Sequence, residues 1–159
     1  MSEYKGIKGF QVQTRTEDPV PFAQAIADNP YAGSWSSGGD LNTARYQGGG
    51  AGTQTAASLF GGGAPAVAVH EYYNGTSWSE QTDLNTGRYS AASGGTQTAS
   101  LLAGGYTTTN VTNTETWNGS SWTETTEINT SRRGLSSLGQ VNTAILAAGG
   151  YTTTAVNNV

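Results

Sequence analysis

The chain repeats one phrase three times. Trp35, Trp78 and Trp122 recur at spacings of 43 and 44 residues, and a matching stretch follows each of them. The stretches are Leu41-Asn42-Thr43-Ala44-Arg45, Leu84-Asn85-Thr86-Gly87-Arg88 and Ile128-Asn129-Thr130-Ser131-Arg132. Thr55-Ala56, Thr98-Ala99 and Thr143-Ala144 come next, and then a double glycine at Gly61-Gly62, Gly104-Gly105 and Gly149-Gly150. A unit of this length cannot bury its apolar face alone and must stack on its neighbours, which points to a propeller or another closed repeat array. The repetition also bears on function. A residue that returns three times in register serves the construction of each unit, so activity is expected where the units differ.

Composition supports an all-β reading. At 159 residues the chain is long enough for one domain with a core. Only 11% of it is charged. Thr and the aromatics favour strands, while Gly and Asn supply tight turns. Net charge is −4, from 7 Lys and Arg against 11 Asp and Glu, and both lysines, Lys5 and Lys8, fall in the first ten residues. That is a poor electrostatic footprint for a polyanion, so no nucleic-acid partner is expected. Without cysteine there are no disulfides or thiolate metal sites. The start, Met1-Ser2-Glu3-Tyr4-Lys5, leads into no apolar run, and no stretch approaches a membrane span, so neither a secretory signal nor membrane insertion is expected.

Residues 1–30 stand apart from the repeats. Ile7, Phe10 and Val12 sit among polar residues and glycines, as in a weakly specified extended segment, and Asp18-Pro19-Val20-Pro21 breaks it. Residues 21–28 suit two helical turns, with Pro21 at the first position and Phe22 and Ile26 on one face, until Asn29-Pro30 ends them. This segment reads either as a floppy leader or as a docking arm whose contacts are Tyr4, Ile7, Phe10, Val12, Phe22 and Ile26.

From Tyr31 onward each unit reads as four short strands. In the middle unit these are 89–93, then a turn at Gly94-Gly95-Thr96-Gln97, 98–103, 111–117, and a fourth carrying Trp122. Asn118-Gly119 and Asn74-Gly75 are type I′ hairpin signals. Small residues in the second strand, such as Ala56, Ala57, Ala99 and Ser100, would let units pack closely, with Trp as the bulky core element.

The order Gly-Gly, an aromatic about a dozen residues on, Trp five residues later, then Leu-Asn-Thr-x-Arg resembles the kelch repeat. The resemblance covers roughly residues 31–159 and implies four-stranded antiparallel blades of a β-propeller, in repeats of about 43–45 residues. The short Tyr-Asn-Gly-Thr-Ser-Trp and Trp-Asn-Gly-Ser-Ser-Trp versions, and the opening Glu3-Tyr4-Lys5-Gly6-Ile7-Lys8-Gly9-Phe10, are similar to kelch-like arrays of marine bacteriophage structural and tail-fibre proteins. An ordinary propeller has roughly four to eight blades. About three repeats therefore imply the start of a longer array or chains that combine, and the first is favoured.

Little here suggests chemistry. The single histidine, His70, has no second imidazole to form a metal pair, and it reads as a solvated strand or loop residue. No Gly-x-Ser-x-Gly elbow is present, and the glycine pairs open no helix that could cradle phosphate. Some kelch propellers are copper-radical oxidases, but their modified Cys-Tyr and histidines are missing. Gly75-Thr76-Ser77-Trp78 and Gly119-Ser120-Ser121-Trp122 partly match the Asp-box turn of sialidase propellers, with Tyr73 or Trp117 in the Asp position. Arg45, Arg88 and Arg132 recur in register and are therefore expected to be blade parts, bonding backbone carbonyls or Glu71 and Glu115. No catalytic residue, cofactor or metal is expected.

What varies is the loop after the double glycine: Gly63-Ala64-Pro65-Ala66 in one unit, Tyr106 to Asn110 in the next, and Tyr151 to Thr154 in the third. Tyr106, Thr107, Thr108, Asn110, Tyr151 and Thr152 suit sugar recognition by stacking and hydrogen bonding, and equally a solvated loop. The resemblance implies a non-enzymatic phage virion protein, tail-fibre or tail-associated and located in the particle. The arm would meet other virion proteins, the loops a host surface glycan or protein, and copies of the chain would associate with one another. Two alternatives stay open: a soluble kelch-like interaction module, and a carbohydrate-active hydrolase whose catalytic residues lie outside this sequence.

Overall fold

The computed structural model describes residues 37–63 and 65–153. The arm, including Tyr4, Ile7, Phe10, Val12, Phe22 and Ile26, lies outside these residues, as do Trp35 and the last residues of the chain. The described residues hold ten strands and no helix. β1 (Gly49–Thr53), β2 (Ala56–Phe60), β3 (His70–Tyr73) and β4 (Trp78–Glu80) form one four-stranded antiparallel meander. β5 (Ala92–Thr96), β6 (Ala99–Ala103), β7 (Thr114–Trp117) and β8 (Trp122–Thr125) form a second, in the same order. β9 (Ser136–Leu138) and β10 (Leu146–Ala148) make a two-stranded sheet in the third repeat.

The register equates the repeats residue by residue. Gly49 faces Phe60 and His70 faces Phe60, just as Ala92 faces Ala103 and Thr114 faces Ala103. Side chains alternate across a strand, so Ser58, Phe60, His70 and Tyr72 share one face of the first sheet. Leu59, Glu71 and Tyr73 share the other. We term the first the forward face, because the second sheet packs on it, and the other the backward face.

The main core lies at this junction. Phe60, His70 and Tyr72 of the first sheet meet Leu102, Trp117 and Trp122 of the second sheet's backward face. The rings of Phe60 and Trp122 meet edge to face at 4.9 Å, and those of His70 and Trp117 at 4.7 Å. Buried apolar side chains of this size contribute roughly 1.5–3 kcal/mol each. The first strands of successive repeats, β1, β5 and β9, lie side by side. Ser93 stitches two of them: its hydroxyl accepts from the Gly50 amide at 3.0 Å and donates to the Gly50 carbonyl at 3.2 Å. Ser137 does the same one repeat later, accepting from the Ser93 amide at 3.0 Å and donating to its carbonyl at 2.8 Å.

Several local expectations are corrected. The first strand of the middle repeat runs 92–96 instead of 89–93, and the turn falls at Gln97-Thr98. Gly94 and Gly95 are inside the strand because backbone approaches them closely. A Cβ on Gly94 would stand 2.8 Å from the Gly139 carbonyl, and one on Gly95 would stand 2.3 Å from that of Ala99. Tyr89 leaves the strand and bridges Tyr106. The second and third strands begin later than expected, at Ala99 and Thr114. The Asn-Gly pairs do not make two-residue type I′ turns. Trp117 pairs with Trp122 across a four-residue loop in which only Gly119 has positive φ. Asn118 turns it with its side chain, whose Oδ1 accepts from the Ser120 and Ser121 amides at 2.9 Å each. Asn74 does the same for Thr76 and Ser77 at 3.0 Å each. The carboxamide stands in for a backbone turn, so the second positive φ of a type I′ turn is not needed.

Candidate recognition surface

The recurring arginines are structural. Arg88 Nη1 donates to Glu115 Oε1 at 2.5 Å and to the Thr86 carbonyl at 3.0 Å, and Nη2 donates to the Leu102 carbonyl at 3.1 Å. The Asn85 and Thr86 amides donate to the same carboxylate at 2.8 and 3.3 Å. Arg45 and Glu71 build the same arrangement in the first repeat, with Asn42, Thr43 and the Leu59 carbonyl. Burial pushes the Glu71 carboxyl up, but hydrogen bonds from Arg45 and the Asn42 and Thr43 amides outweigh it, and the group is held below the ordinary carboxylate range. Arg132 donates to the Thr130 and Gly149 carbonyls. In the first two repeats the Leu-Asn-Thr-x-Arg phrase is thus a clasp that fastens the entry to the repeat onto its third strand.

The double glycines occupy the seam between repeats. Gly62 and Gly105 donate to the carbonyls of Arg88 and Arg132, each in the following repeat, at 2.9 and 2.8 Å. Gly61 and Gly104 donate to Val69 and Asn113 within their own repeat, at 2.9 Å each. Gly149 and Gly150 hold the same positive φ, 67° and 95°. Trp122 is buried, while Trp78, which has no described repeat packed over it, is half-buried.

His70 is not solvated. It is fully buried, walled by Phe60, Tyr72, Trp117 and Trp122. Its position alternates inward with Phe60, and the second sheet closes over it, which one repeat read alone does not reveal. Its Nε2 lies 2.8 Å from Ser58 Oγ and its Nδ1 lies 3.1 Å from the Thr82 carbonyl. That carbonyl has no proton, so Nδ1 carries it and Nε2 accepts from Ser58. The indole N–H of Trp122, 3.2 Å from Nδ1, is then a contact and not a hydrogen bond. Burial lowers the imidazole to about 4. Ser58 and His70 have the spacing of a nucleophile and base, but both are sealed from solvent and the third partner is a backbone carbonyl instead of a carboxylate. Catalysis at this pair has no path for substrate. Among the described residues no group of His, Asp and Glu is placed to hold a metal.

Two of the variable loops converge instead on a cluster with Arg133. Tyr106 lies on the connection between β6 and β7, Tyr151 follows β10 one repeat later, and Arg133 lies against both. Its guanidinium carbon stands 4.5 Å from the Tyr106 ring centre and 4.9 Å from that of Tyr151. Asn110 fixes the arrangement: its Oδ1 accepts from Arg133 Nη1 at 3.1 Å, and its Nδ2 donates to the Tyr151 and Thr152 carbonyls at 3.0 and 2.9 Å. The Tyr89 and Tyr106 rings are 5.4 Å apart. Thr108 and Tyr151 are exposed and Thr107 is half-buried, with its amide donating to the Thr109 carbonyl.

Sequence reasoning gathered the tyrosines, the threonines and Asn110 but missed Arg133. The signal was available in the repeat: Arg45-Tyr46 and Arg88-Tyr89 become Arg132-Arg133, so a cation replaces an aromatic at the point where units differ. The cluster offers stacking faces, a planar cation, an amide and hydroxyls, with no carboxylate among the residues named, and so suits recognition better than bond making. A second concavity, about 440 Å³, lies at the opposite end of β2, between the Gly52–Ala56 and Gly95–Thr98 turns and Gln140, and no ionisable side chain lines it.

No family model matches this chain. No curated protein matches it in sequence. Among solved structures its fold is similar to that of YjhT, with a TM-score of 0.66 and 17% identity over 78% of this chain. The chain spans 44% of the length of YjhT. That protein has a β-propeller-like fold, and at this identity the likeness is one of fold.

Proposed function

We propose that the described residues are kelch-like blades of a β-propeller array, and that the protein is a non-enzymatic component of a phage virion, tail-fibre or tail-associated. In this reading residues 1–30 dock to the particle and the blades display the loops that carry Tyr106, Arg133 and Tyr151 to a host surface glycan or protein. One observation carries the binding role. The repeated ionisable residues Arg45, Glu71, Arg88 and Glu115 are consumed within the scaffold, whereas Tyr106, Asn110, Arg133 and Tyr151 gather in one cluster. The virion assignment is supported by the resemblance of the repeats and of the opening segment to phage structural proteins.

Purified particles carrying a tagged copy of the protein test it. The full-length chain is expected in the particles by mass spectrometry, and a deletion of residues 1–30 is expected to be left out while its repeats still fold. Normal incorporation of the deletion overturns the arm's role, and absence of the full-length chain from particles overturns the virion role. Cleavage of a glycan by the purified protein would overturn the non-enzymatic reading.

A further inference from the structure

Two side chains of this protein are chemically labile, and the fold holds both in the same kind of turn. They belong to its asparagine-glycine pairs, Asn74-Gly75 and Asn118-Gly119. The side-chain carbon of an asparagine is open to attack by the amide nitrogen of the next residue, and glycine alone leaves that nitrogen unshielded. The clasp asparagines Asn42, Asn85 and Asn129 are each followed by threonine, whose branched β-carbon shields it. Both glycine pairs are exposed, and neither glycine amide donates a hydrogen bond among the described residues. The carboxamide is what restrains the reaction. Ring closure carries its carbon onto the glycine nitrogen and draws its oxygen off the two amides it serves. Those are Thr76 and Ser77 in the first repeat, and Ser120 and Ser121 in the second. The two turns differ at the nitrogen that must leave. Asn118 Nδ2 donates to Ser121 Oγ at 3.3 Å, whereas Asn74 Nδ2 makes no such bond among the described residues, although Ser77 stands in the same place. The hairpins differ too: the pairing of β7 with β8 runs from Thr114 to Trp117, and that of β3 with β4 only from Glu71 to Tyr73.

We propose that Asn74 is the first site of spontaneous deamidation in this chain, and that Ser121 and the longer hairpin hold Asn118 back. In the step, the Gly75 nitrogen bonds to Asn74 Cγ and gives up its proton. The bond from Cγ to Nδ2 breaks, and ammonia leaves carrying that proton. Water then opens the succinimide at either carbonyl, to give aspartate or isoaspartate. Aspartate keeps an oxygen available to the Thr76 and Ser77 amides, so the turn survives. Isoaspartate routes the main chain through the side-chain carbons and lengthens by one methylene the loop that sets the Tyr73 and Trp78 pairing. That product loosens the hairpin.

The full chain is tested by incubation at mildly alkaline pH, folded and in urea, with peptide mapping by mass spectrometry scoring the amide-to-acid conversion at each site. In urea the two sites are expected to convert at equal rates, since Asn-Gly-Thr and Asn-Gly-Ser leave the nitrogen equally bare. In the folded chain both are expected to slow, with Asn74 leading Asn118 by about threefold or more, the worth of one modest hydrogen bond. Ser121→Ala, at an exposed position, is expected to bring Asn118 close to the rate of Asn74, with circular dichroism confirming that the variant folds. Equal rates at the two sites in the folded chain overturn the proposal, as does Asn118 leading. A folded rate at Asn118 no lower than its rate in urea overturns the restraint by the turn. An Asn118 rate that Ser121→Ala leaves unchanged overturns the part given to Ser121.

Discussion

Arg88 Nη1 lies 2.5 Å from Glu115 Oε1, and both side chains are wholly shielded from solvent. The carboxylate also accepts from two backbone amides of the same entry loop. Removing one partner leaves the other as an uncompensated buried charge. Glu115→Ala is therefore expected to destabilise the protein by about 3–5 kcal/mol, and Arg88→Ala by a comparable amount. Urea midpoints of the two single variants and the double check this. The double variant should lose less than the sum of the singles, and strict additivity would contradict the coupling.

His70 makes stability depend on pH. Its folded value is lowered to about 4 from an ordinary 6.5, so the unfolded chain takes up the proton first. Its contribution is fully present above pH 6.5 and is lost as pH falls towards 4, at a total of roughly 3 kcal/mol. Glu71, held below the ordinary carboxylate range, loses its own contribution as pH falls further. Thermal unfolding from pH 7 to pH 4 should show the decline, and His70→Gln should flatten its upper part. An unchanged slope in that variant would rule His70 out as the cause.

Two glycines with positive φ separate conformational strain from crowding. Gly134 has φ of 65° and nothing within 4 Å of an added Cβ, so Gly134→Ala is expected to cost about 1 kcal/mol. Gly105 has φ of 105° and an added Cβ would stand 2.8 Å from the Tyr89 carbonyl. Gly105→Ala adds a clash with the Tyr89 carbonyl and Ala91 of its own repeat and is expected to cost about 3 kcal/mol or more. Equal losses in denaturant titrations would mean that the backbone at Tyr89 and Ala91 yields freely.

Arg133 sits against two tyrosine rings and on Asn110. Arg133→Ala is expected to lower stability by about 1 kcal/mol, and Arg133→Lys to recover only part of it because an ammonium lacks the planar face. Under the proposed receptor-binding role, host-cell binding by the purified chain should fall in both variants by more than the loss of stability explains. Unchanged binding would separate this cluster from recognition.

The periodic residues were readable as scaffold because each meets the same demand in every repeat. A double glycine must take positive φ where the next repeat's carbonyl approaches, and Arg45 and Arg88 must reach a carboxylate on the third strand of their own repeat. The strand limits were less readable. Gly94 and Gly95 look like a turn along the chain, but they are strand residues thinned to admit a neighbouring backbone.

The sequence by itself determined the repeat length, the all-β character and the identity of the clasp residues, since these follow from local periodicity and from charges too few to be left unpaired. The tertiary structure decided what non-repeating residues do. His70 and Arg133 depart from the repeat, and their roles arise only when one repeat is laid on another. Burial turned the lone histidine into a neutral core group. Stacking of adjacent loops joined an arginine to two tyrosines, because the contacts involved span tens of residues that no local pattern connects.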